Sequence, residues 1–319
     1  MQKWIKISAT LLPIMYIGCT EPSSSSFTLP DEEVRIQFTA RPAVNYDIDV
    51  STRAGSNEYN LGIVGIAATE NDSASDCLDG LCYYDFCRTL NNAEFIGQLP
   101  GVISPIDGNP RTFPFEKRSA MAVYGYLPYR NSDIHIGDTS CYLNLDLASE
   151  KFSVDYMYTG KVFRDKASYT EESSFDLQFK HAFAKVKFNF SSSIIKDFGG
   201  RIHIDTLAFC FKSNGKGLFD LKNGNFYPEV SKKPANNRLN FTEIVKVMNS
   251  GNSTSAIAEA YIPPSMKLKS IRLVISDIQI KRPLAVEVPF DGDVILERGY
   301  EYSISFKYKE HSKVTIRRE

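Results

Sequence analysis

The chain has 319 residues and a formal net charge of −1, with 37 Lys and Arg residues against 38 Asp and Glu residues. Its basic residues are scattered and form no stripe, which argues against a nucleic-acid-binding protein. Its 17 Tyr and 21 Phe residues, beside a single Trp, favour sheets over helices. No apolar run beyond the N-terminal leader is long enough to span a membrane.

The N-terminus has the pattern of a secretory signal peptide. Two lysines precede the mostly apolar segment 7–17, and Gly18 stands before Cys19. The apolar segment is too short to be a membrane-spanning helix. A small residue followed by Cys is typical of a bacterial lipoprotein leader, so we predict removal of residues 1–18 and acylation of the Cys19 thiol. Tyr16 stands where such leaders usually carry Leu, and the alternative is an ordinary signal peptide.

Residues 19–33 are expected to form a flexible tether. Four consecutive serines lie at 23–26, and a polar stretch of this kind cannot bury enough apolar surface to fold. Several acyl chains hold a protein firmly to a membrane. The folded part is therefore expected to hang from a membrane outside the cytoplasm.

Apolar and polar residues alternate along much of the chain, which is typical of half-buried strands. Strands are predicted at 34–40, 61–68, 121–127 and 152–158. One short helix is predicted at 240–248, where apolar residues recur at helical spacing. In the second half, strands are predicted at 175–183, 186–190, 202–211, 256–262, 271–280, 286–290 and 300–308.

Many short strands separated by turns predict an all-β fold. The alternation changes phase near Ala184, which predicts a bulge. The polar stretch 164–174 is the predicted junction between two β-sandwich domains in series, 34–163 and 175–319, of transthyretin-like or Greek-key type with few short helices. Hairpin-type turn pairs occur in the second half: Asn214-Gly215, Asn223-Gly224 and Asp291-Gly292.

The cysteines and histidines predict neither a metal site nor a cofactor. An exported location permits disulfides, but an odd number of cysteines after the leader leaves at least one thiol unpaired. Neither the cysteines nor the four histidines have metal-ligand spacing. The connectivity of these cysteines cannot be deduced: Cys77, Cys82, Cys87, Cys141 and Cys210.

No motif of an enzyme active site is present, so the chain is not predicted to be an enzyme. It has no nucleophile elbow, phosphate-binding loop or dinucleotide glycine pattern. A hydrolase with carboxylates brought together from separate strands is one alternative. Another is a surface glycan-binding lipoprotein, an adhesin that stacks Tyr83, Tyr84 and Phe86 on a sugar ring, although such rings more often pack within their own loop.

Four segments resemble recurrent features of the fimbrillin family, the subunits and anchors of type V pili, and occur in the same order. They are the sequences at 124–129 (YGYLPY), 155–158 (DYMY), 179–186 (FKHAFAKV) and 299–304 (GYEYSI). They are distributed over residues 124–304, which is more than half of the predicted mature chain. His181 within the third segment is predicted to be a strand residue that satisfies a local hydrogen bond.

The resemblance implies a mode of assembly. Such subunits reach the outer membrane as lipoproteins, and an arginine-specific protease removes the N-terminal segment with its first strand. A strand of a neighbouring fimbrial subunit then fills the exposed groove. The matching cut here is after Arg53 and before Ala54. Arg41 is a poorer candidate because Pro42 follows it, and the alternative is that Arg53 is an ordinary loop arginine.

The resemblance also implies a location and a partner class. The protein is expected to be a surface-exposed lipoprotein of the outer membrane or a component of a fimbrium, with other fimbrial subunits as partners. The C-terminal segment after Tyr308 has only Val314 and Ile316 in alternation, so it would fill few pockets of a neighbour. This favours an anchor or a tip subunit over a stalk subunit.

Overall fold

A computed structural model describes residues 35–43, 58–68, 85–86, 90–113, 120–132, 134–136, 140–165, 174–190, 201–211, 215–229, 238–241, 248–249, 258–276, 284–307 and 313–318. All regular structure in these ranges is β-strand, which confirms the predicted all-β class. Accordingly, these ranges hold no helix that is long and apolar enough to cross a membrane.

The strands, in chain order, have the following bounds: β1 Arg35–Ile36, β2 Phe38–Pro42, β3 Glu58–Ala68, β4 Asp85–Phe86, β5 Ala93–Gln98, β6 Gly101–Pro105, β7 Arg111–Thr112, β8 Ala120–Leu127, β9 Ile134–Ile136, β10 Cys141–Asp146, β11 Met157–Asp165, β12 Phe175–His181, β13 Ala184–Phe190, β14 Arg201–Phe211, β15 Lys216–Asp220, β16 Phe226–Pro228, β17 Arg238–Phe241, β18 Met248–Asn249, β19 Ala258–Ile262, β20 Leu268–Ser276, β21 Leu284–Val294, β22 Glu301–Lys307 and β23 Lys313–Arg318.

The largest sheet closes on itself. Its strand order is β4-β3-β5-β6-β2-β12-β11-β8, and β8 also pairs with β3, so seven of the eight strands form a ring. Most neighbours in the ring are antiparallel, whereas β2 and β12 are parallel. Since strand residues alternate between the two faces of a sheet, each strand sends every second side chain into the ring.

An apolar core fills the interior of this ring. In β12, for example, Phe175, Leu177 and Phe179 are buried, whereas the residues between them are half-buried. The fully described members of this core are Ile36, Phe38, Ala40, Leu61, Ile63, Leu90, Phe95, Ile103, Phe113, Met121, Val123, Leu127, Met157, Phe175, Leu177 and Phe179.

Four smaller sheets complete the described structure. Their orders are β1-β7, β16-β15-β10-β9, β19-β13-β22-β23 and β17-β14-β20-β21, with β18 also on β14. Within β10, the buried positions alternate with half-buried or exposed ones, as expected for a sheet with one face on the core.

Strand pairing crosses the predicted junction at 164–174. Strand β12 lies in the ring between β2 and β11, and β10 pairs with β15 along five residue pairs, from Tyr142–Asp220 to Asp146–Lys216. The central part of the junction, 166–173, is outside the described residues, so the division into two domains stays a prediction.

A second core joins side chains from both halves of the chain. Phe219 of β15 is fully buried. Its ring centroid lies 5.8 Å from that of Tyr156, 6.4 Å from that of Tyr158 and 5.9 Å from that of Phe183. Edge-to-face and tilted contacts of this kind contribute beyond the area that the rings bury, so this cluster stabilises both halves together.

The helix predicted at 240–248 is wrong at both of its ends. Arg238–Phe241 forms β17 and Met248–Asn249 forms β18, and both strands pair with β14. Residues 242–247 are outside the described residues. A short apolar spacing does not distinguish a helix from strands, and here β14 supplies backbone partners for both segments.

The bulge predicted near Ala184 is also not what the structure contains. Strand β12 ends at His181 and β13 begins at Ala184, and the two belong to different sheets. Ala182 and Phe183 between them are buried. The phase shift in the sequence therefore marks the passage of the chain from one sheet to another.

Of the predicted turns, Asn223-Gly224 is confirmed between β15 and β16. Gly224 has φ +70°, and a Cβ there would come within 2.2 Å of the Tyr158 ring, so the turn requires glycine for both conformation and space.

The turn predicted at Asp291-Gly292 is wrong, because β21 continues through it. The pairing with β20 shifts register between Leu268 and Ser270, opposite Val294 and Pro289, which places 290–293 in a β-bulge or similar irregularity.

We expect the variant Phe219→Ala to lower the free energy of unfolding by about 3–5 kcal/mol, because it removes a fully buried ring from the second core. Urea denaturation followed by near-UV circular dichroism would measure this. Tyr227→Ala is the matched control, since this aromatic side chain lies on the same sheet but is 47% exposed, and its effect should stay below about 1 kcal/mol. Equal effects of the two variants would contradict the prediction.

Candidate functional site: the strand that closes the ring

Strand β2 occupies a position between two strands that do not pair with each other in the described structure. It is antiparallel to β6, with Phe38 opposite Ile103 and Ala40 opposite Gly101. It is parallel to β12 along its whole length, from the pair Phe38–Phe175 onward. This single short strand therefore completes the ring by backbone hydrogen bonds on both of its edges.

Backbone hydrogen bonds also extend beyond both ends of β2. The Phe175 N–H donates to the Gln37 carbonyl at 2.9 Å, and the Ala43 N–H donates to the Phe179 carbonyl at 2.8 Å. Just before β2, β1 pairs with β7, with Ile36 opposite Arg111. Residues 35–43 are thus held as one extended segment, and we call the space that they occupy the β2 groove.

The inner face of the segment fills the floor of the β2 groove. Phe38 is 2% exposed and Ala40 is 1% exposed. The Phe38 ring contacts Phe95 edge-on at 5.1 Å and stacks on Phe175 at 5.4 Å between centroids. Withdrawal of the segment would expose these two floor rings to water, at a cost that scales with their apolar area.

The outer face of the segment carries an ion pair with β12. The Arg41 guanidinium donates from Nε to Asp176 Oδ1 at 3.0 Å and from its terminal nitrogen to Oδ2 at 2.6 Å. This forked geometry is the strong form of an arginine–carboxylate contact. The hydrogen bonds from Arg41 hold the pKa of Asp176 below its ordinary value. Beside this pair, the Thr39 and Ser174 hydroxyls are 3.2 Å apart.

These contacts define what the site can do. Without residues 35–43, β6 and β12 would each present unpaired backbone groups beside an apolar floor. Unpaired strand edges are templates for another strand, and buried backbone groups left without partners are costly. The arrangement is therefore suited to binding an extended peptide segment.

The segments that resemble the fimbrillin family meet in space. Met157 pairs with Leu127 on one side and with His181 on the other. Asp155 Oδ2 lies 2.8 Å from His181 Nδ1, which confirms His181 as a strand residue with a local polar partner. The fourth segment joins the third, since the Lys185 N–H donates to the Tyr300 carbonyl at 3.0 Å.

A polar cluster near this meeting point was not identified from the sequence. The Tyr126 hydroxyl donates to Asn92 Oδ1 at 2.7 Å, and Arg130 Nε donates to the Tyr156 hydroxyl at 2.8 Å. Glu150 accepts from the Tyr156 hydroxyl at 3.0 Å and from Arg130 at 2.9 Å. Burial raises the pKa of both tyrosines and of Glu150. Only the two tyrosines, which lie in family-like segments, gave a signal in the sequence.

Several predicted site residues lie outside the described residues. These are the lipidation site Cys19, the cleavage site Arg53 and Ala54, and the loop residues Cys77, Cys82, Cys87, Tyr83 and Tyr84. Phe86 lies in β4. Cys141 is a free, fully buried thiol, and burial raises its pKa to about 12, which makes it unreactive. Within the described ranges, no group of His, Cys, Asp and Glu side chains could hold a metal ion.

The sequence matches the model of the fimbrillin-like family over residues 52–318. The chain belongs to this family. The resemblance seen in the sequence is thereby confirmed, and membership indicates a cell-surface protein of the pilus or adhesin type with a structural role. The match begins after β2 and includes every later strand. No curated protein matches this sequence.

Solved structures of proteins from Bacteroides species align with most of this fimbrillin-like chain. One, a proposed cell adhesion protein from Bacteroides eggerthii DSM 20697, is 9% identical, with 91% of this chain and 96% of that chain covered and a TM-score of 0.39. Another, a proposed adhesin from Bacteroides thetaiotaomicron VPI-5482, is 10% identical, with 89% and 95% covered and a TM-score of 0.41.

We expect Phe38→Ala to lower the free energy of unfolding of the full chain by about 3–5 kcal/mol, because the floor of the β2 groove loses its central ring. Chemical denaturation measures the change. Val102→Ala is the control, since Val102 lies opposite Thr39 on β6 but is 69% exposed, and it should change stability by less than about 1 kcal/mol. A Phe38→Ala chain as stable as the control would show that β2 contributes little to closure.

The lowered pKa of Asp176 predicts a pH dependence of stability. An unfolded Asp has a pKa of about 3.9, so the contribution of Asp176 is fully present above this pH and is lost as the pH falls through the lower folded-state pKa. Between about pH 5 and pH 2, Asp176→Asn should therefore lose less stability than the unaltered chain. Arg41→Gln should show most of the same reduction, and the double variant should add little to it. Identical pH profiles of Asp176→Asn and the unaltered chain would refute this assignment.

Proposed function

We propose that this protein is a fimbrillin-like lipoprotein that serves as a subunit or anchor of a surface fimbrium and joins its neighbour by strand complementation. In this proposal, removal of the N-terminal segment with β2 opens the β2 groove, and an extended strand of the neighbouring subunit fills it. The observation that carries the proposal is that, among the described strands, β2 alone connects β6 and β12 in the ring.

The position of the predicted cut supports this proposal. Arg53 and Ala54 lie in the sequence between Pro42, the last residue of β2, and Glu58, the first residue of β3. A cut there would separate β2 from the rest of the ring and leave β3 to β23 on one chain. The family match, which begins at residue 52, covers the portion that would remain.

The presence of β2 in its own groove also explains why the precursor would not assemble before the protease acts. While β2 is covalently attached, its local concentration at the groove is far higher than that of any strand from another molecule. The precursor therefore stays closed during export. Acylated Cys19 and the tether 19–33 would hold it at the outer membrane until a protease cuts the connection.

The C-terminal strand favours a position at an end of the fimbrium. β23 has six residues and pairs with β22 in the chain's own sheet, from Tyr302–Arg318 to Lys307–Lys313. A strand already used in its own sheet is poorly suited to donation. We therefore propose either a tip subunit, which accepts a strand and need not donate one, or an anchor that keeps its lipidated segment uncut.

Treatment of the purified full chain with an arginine-specific protease tests the cut. We expect intact mass spectrometry and N-terminal sequencing to find a product that begins at Ala54, because Arg53 lies between two strands and is not followed by Pro. Arg53→Lys should block this product while leaving the other arginines as internal controls. In the native cell, the same variant should keep its lipid and be absent from sheared fimbriae. Normal incorporation of Arg53→Lys into fimbriae would overturn the proposed processing.

A further inference from the structure

Residues 35–43, the resident segment, show which side chain the β2 groove accepts at each position. The site of Phe38 holds a large ring between Phe95 and Phe175. The site of Ala40, two residues later, is equally buried but holds only a methyl group. Leu177, the strand partner of Ala40 on β12, is fully buried and occupies the adjacent space. A larger residue at this second site would overpack a dense core.

The outer wall of the groove carries a charge that the resident segment neutralises. Asp176 accepts the forked hydrogen bonds of Arg41, and its other described partners are the Gln178 amide at 3.2 Å and the more distant charge of Arg164. Departure of β2 would leave this carboxylate on the edge of β12 without its main cation. An incoming strand with an acidic residue at that position would meet repulsion instead.

We infer that the β2 groove selects a partner strand with an aromatic residue, a small residue two positions later and a basic residue directly after it, running parallel to β12. This inference rests on the proposed strand complementation and specifies its partner. Because the three features are placed asymmetrically, the same sequence entering in the opposite direction would put its side chains in the wrong sites. The groove therefore selects sequence and direction together.

The same argument makes a second copy of this chain a poor donor through β23. If Ile316 filled the site of Phe38, Arg318 would fall on the buried site of Ala40. If Val314 filled the site of Phe38, Ile316 would overfill that small site, although Arg317 would then lie near Asp176. Neither register satisfies both inner sites, so the partner strand is not β23 of a second copy.

A peptide exchange experiment on the full chain tests this selectivity. A recognition sequence for a site-specific protease is inserted between β2 and β3, so that the result does not depend on cleavage at Arg53. The folded chain is cut, and a fluorescent peptide copying residues 34–44 is added in excess. Native mass spectrometry and fluorescence anisotropy then report replacement of the resident segment.

Matched peptides separate the three features. Relative to the unaltered peptide, Arg41→Glu should bind about tenfold more weakly, and Ala40→Phe should bind about a hundredfold more weakly. Arg35→Glu is the control, because Arg35 is exposed and its reversal changes the peptide charge by the same amount; its binding should change by less than about twofold. A peptide copying residues 312–319 should bind more weakly than the unaltered peptide.

Reversing the charge at position 176 of the protein tests whether Asp176 selects the basic residue at the Arg41 position of the peptide. In the Asp176→Arg chain, the Arg41→Glu peptide should bind better than the unaltered peptide, which reverses their order. Equal binding of these two peptides to the unaltered chain, or no reversal in Asp176→Arg, would overturn the inferred selectivity while leaving strand complementation intact. Failure of every peptide, including the unaltered one, to enter the cut chain would overturn strand complementation itself.

Discussion

Closure of the seven-stranded ring by β2 is the interaction on which the rest of this structure depends. The strand is bonded to β6 on one edge and to β12 on the other, and its Phe38 ring packs against rings from two other strands. Backbone pairing supplies affinity without regard to sequence, whereas the buried side chains and the Arg41–Asp176 pair supply register. A strand that closes the ring in this way stabilises the fold, and it leaves an open groove for another strand if it is removed.

The second core gives the ring a fixed support. Phe219, in the second half of the chain, packs among Tyr156, Tyr158 and Phe183, close to the place where the family-like segments meet. The polar cluster around Arg130 and Glu150 adds hydrogen bonds to this core. Burial of its polar groups costs little free energy only while every group has a hydrogen-bond partner. A framework held in this way can keep its shape while one strand is exchanged, because few of these contacts involve β2.

The local pattern of the chain predicted about half of the strands but not their partners. It was wrong over most of the strand predicted at 152–158, where β11 begins only at Met157. Alternation predicted a strand at 34–40, and the structure has β1 and β2 there. The residue that binds Arg41 is 135 positions away in the sequence, and no spacing rule connects the two. The helix predicted at 240–248 was wrong at both of its ends for the same reason, because pairing with β14 outweighs a weak local preference. The polar cluster escaped notice because Asn92 and Glu150 carry no motif.

The sequence alone determined the all-β class and the family resemblance, since each depends on composition or on order along the chain. The tertiary structure decided that β2 completes a ring, that it runs parallel to β12, and that its inner sites take one large and one small side chain. These properties arise from contacts between residues far apart in sequence, where pairing and packing depend on geometry that no local pattern encodes.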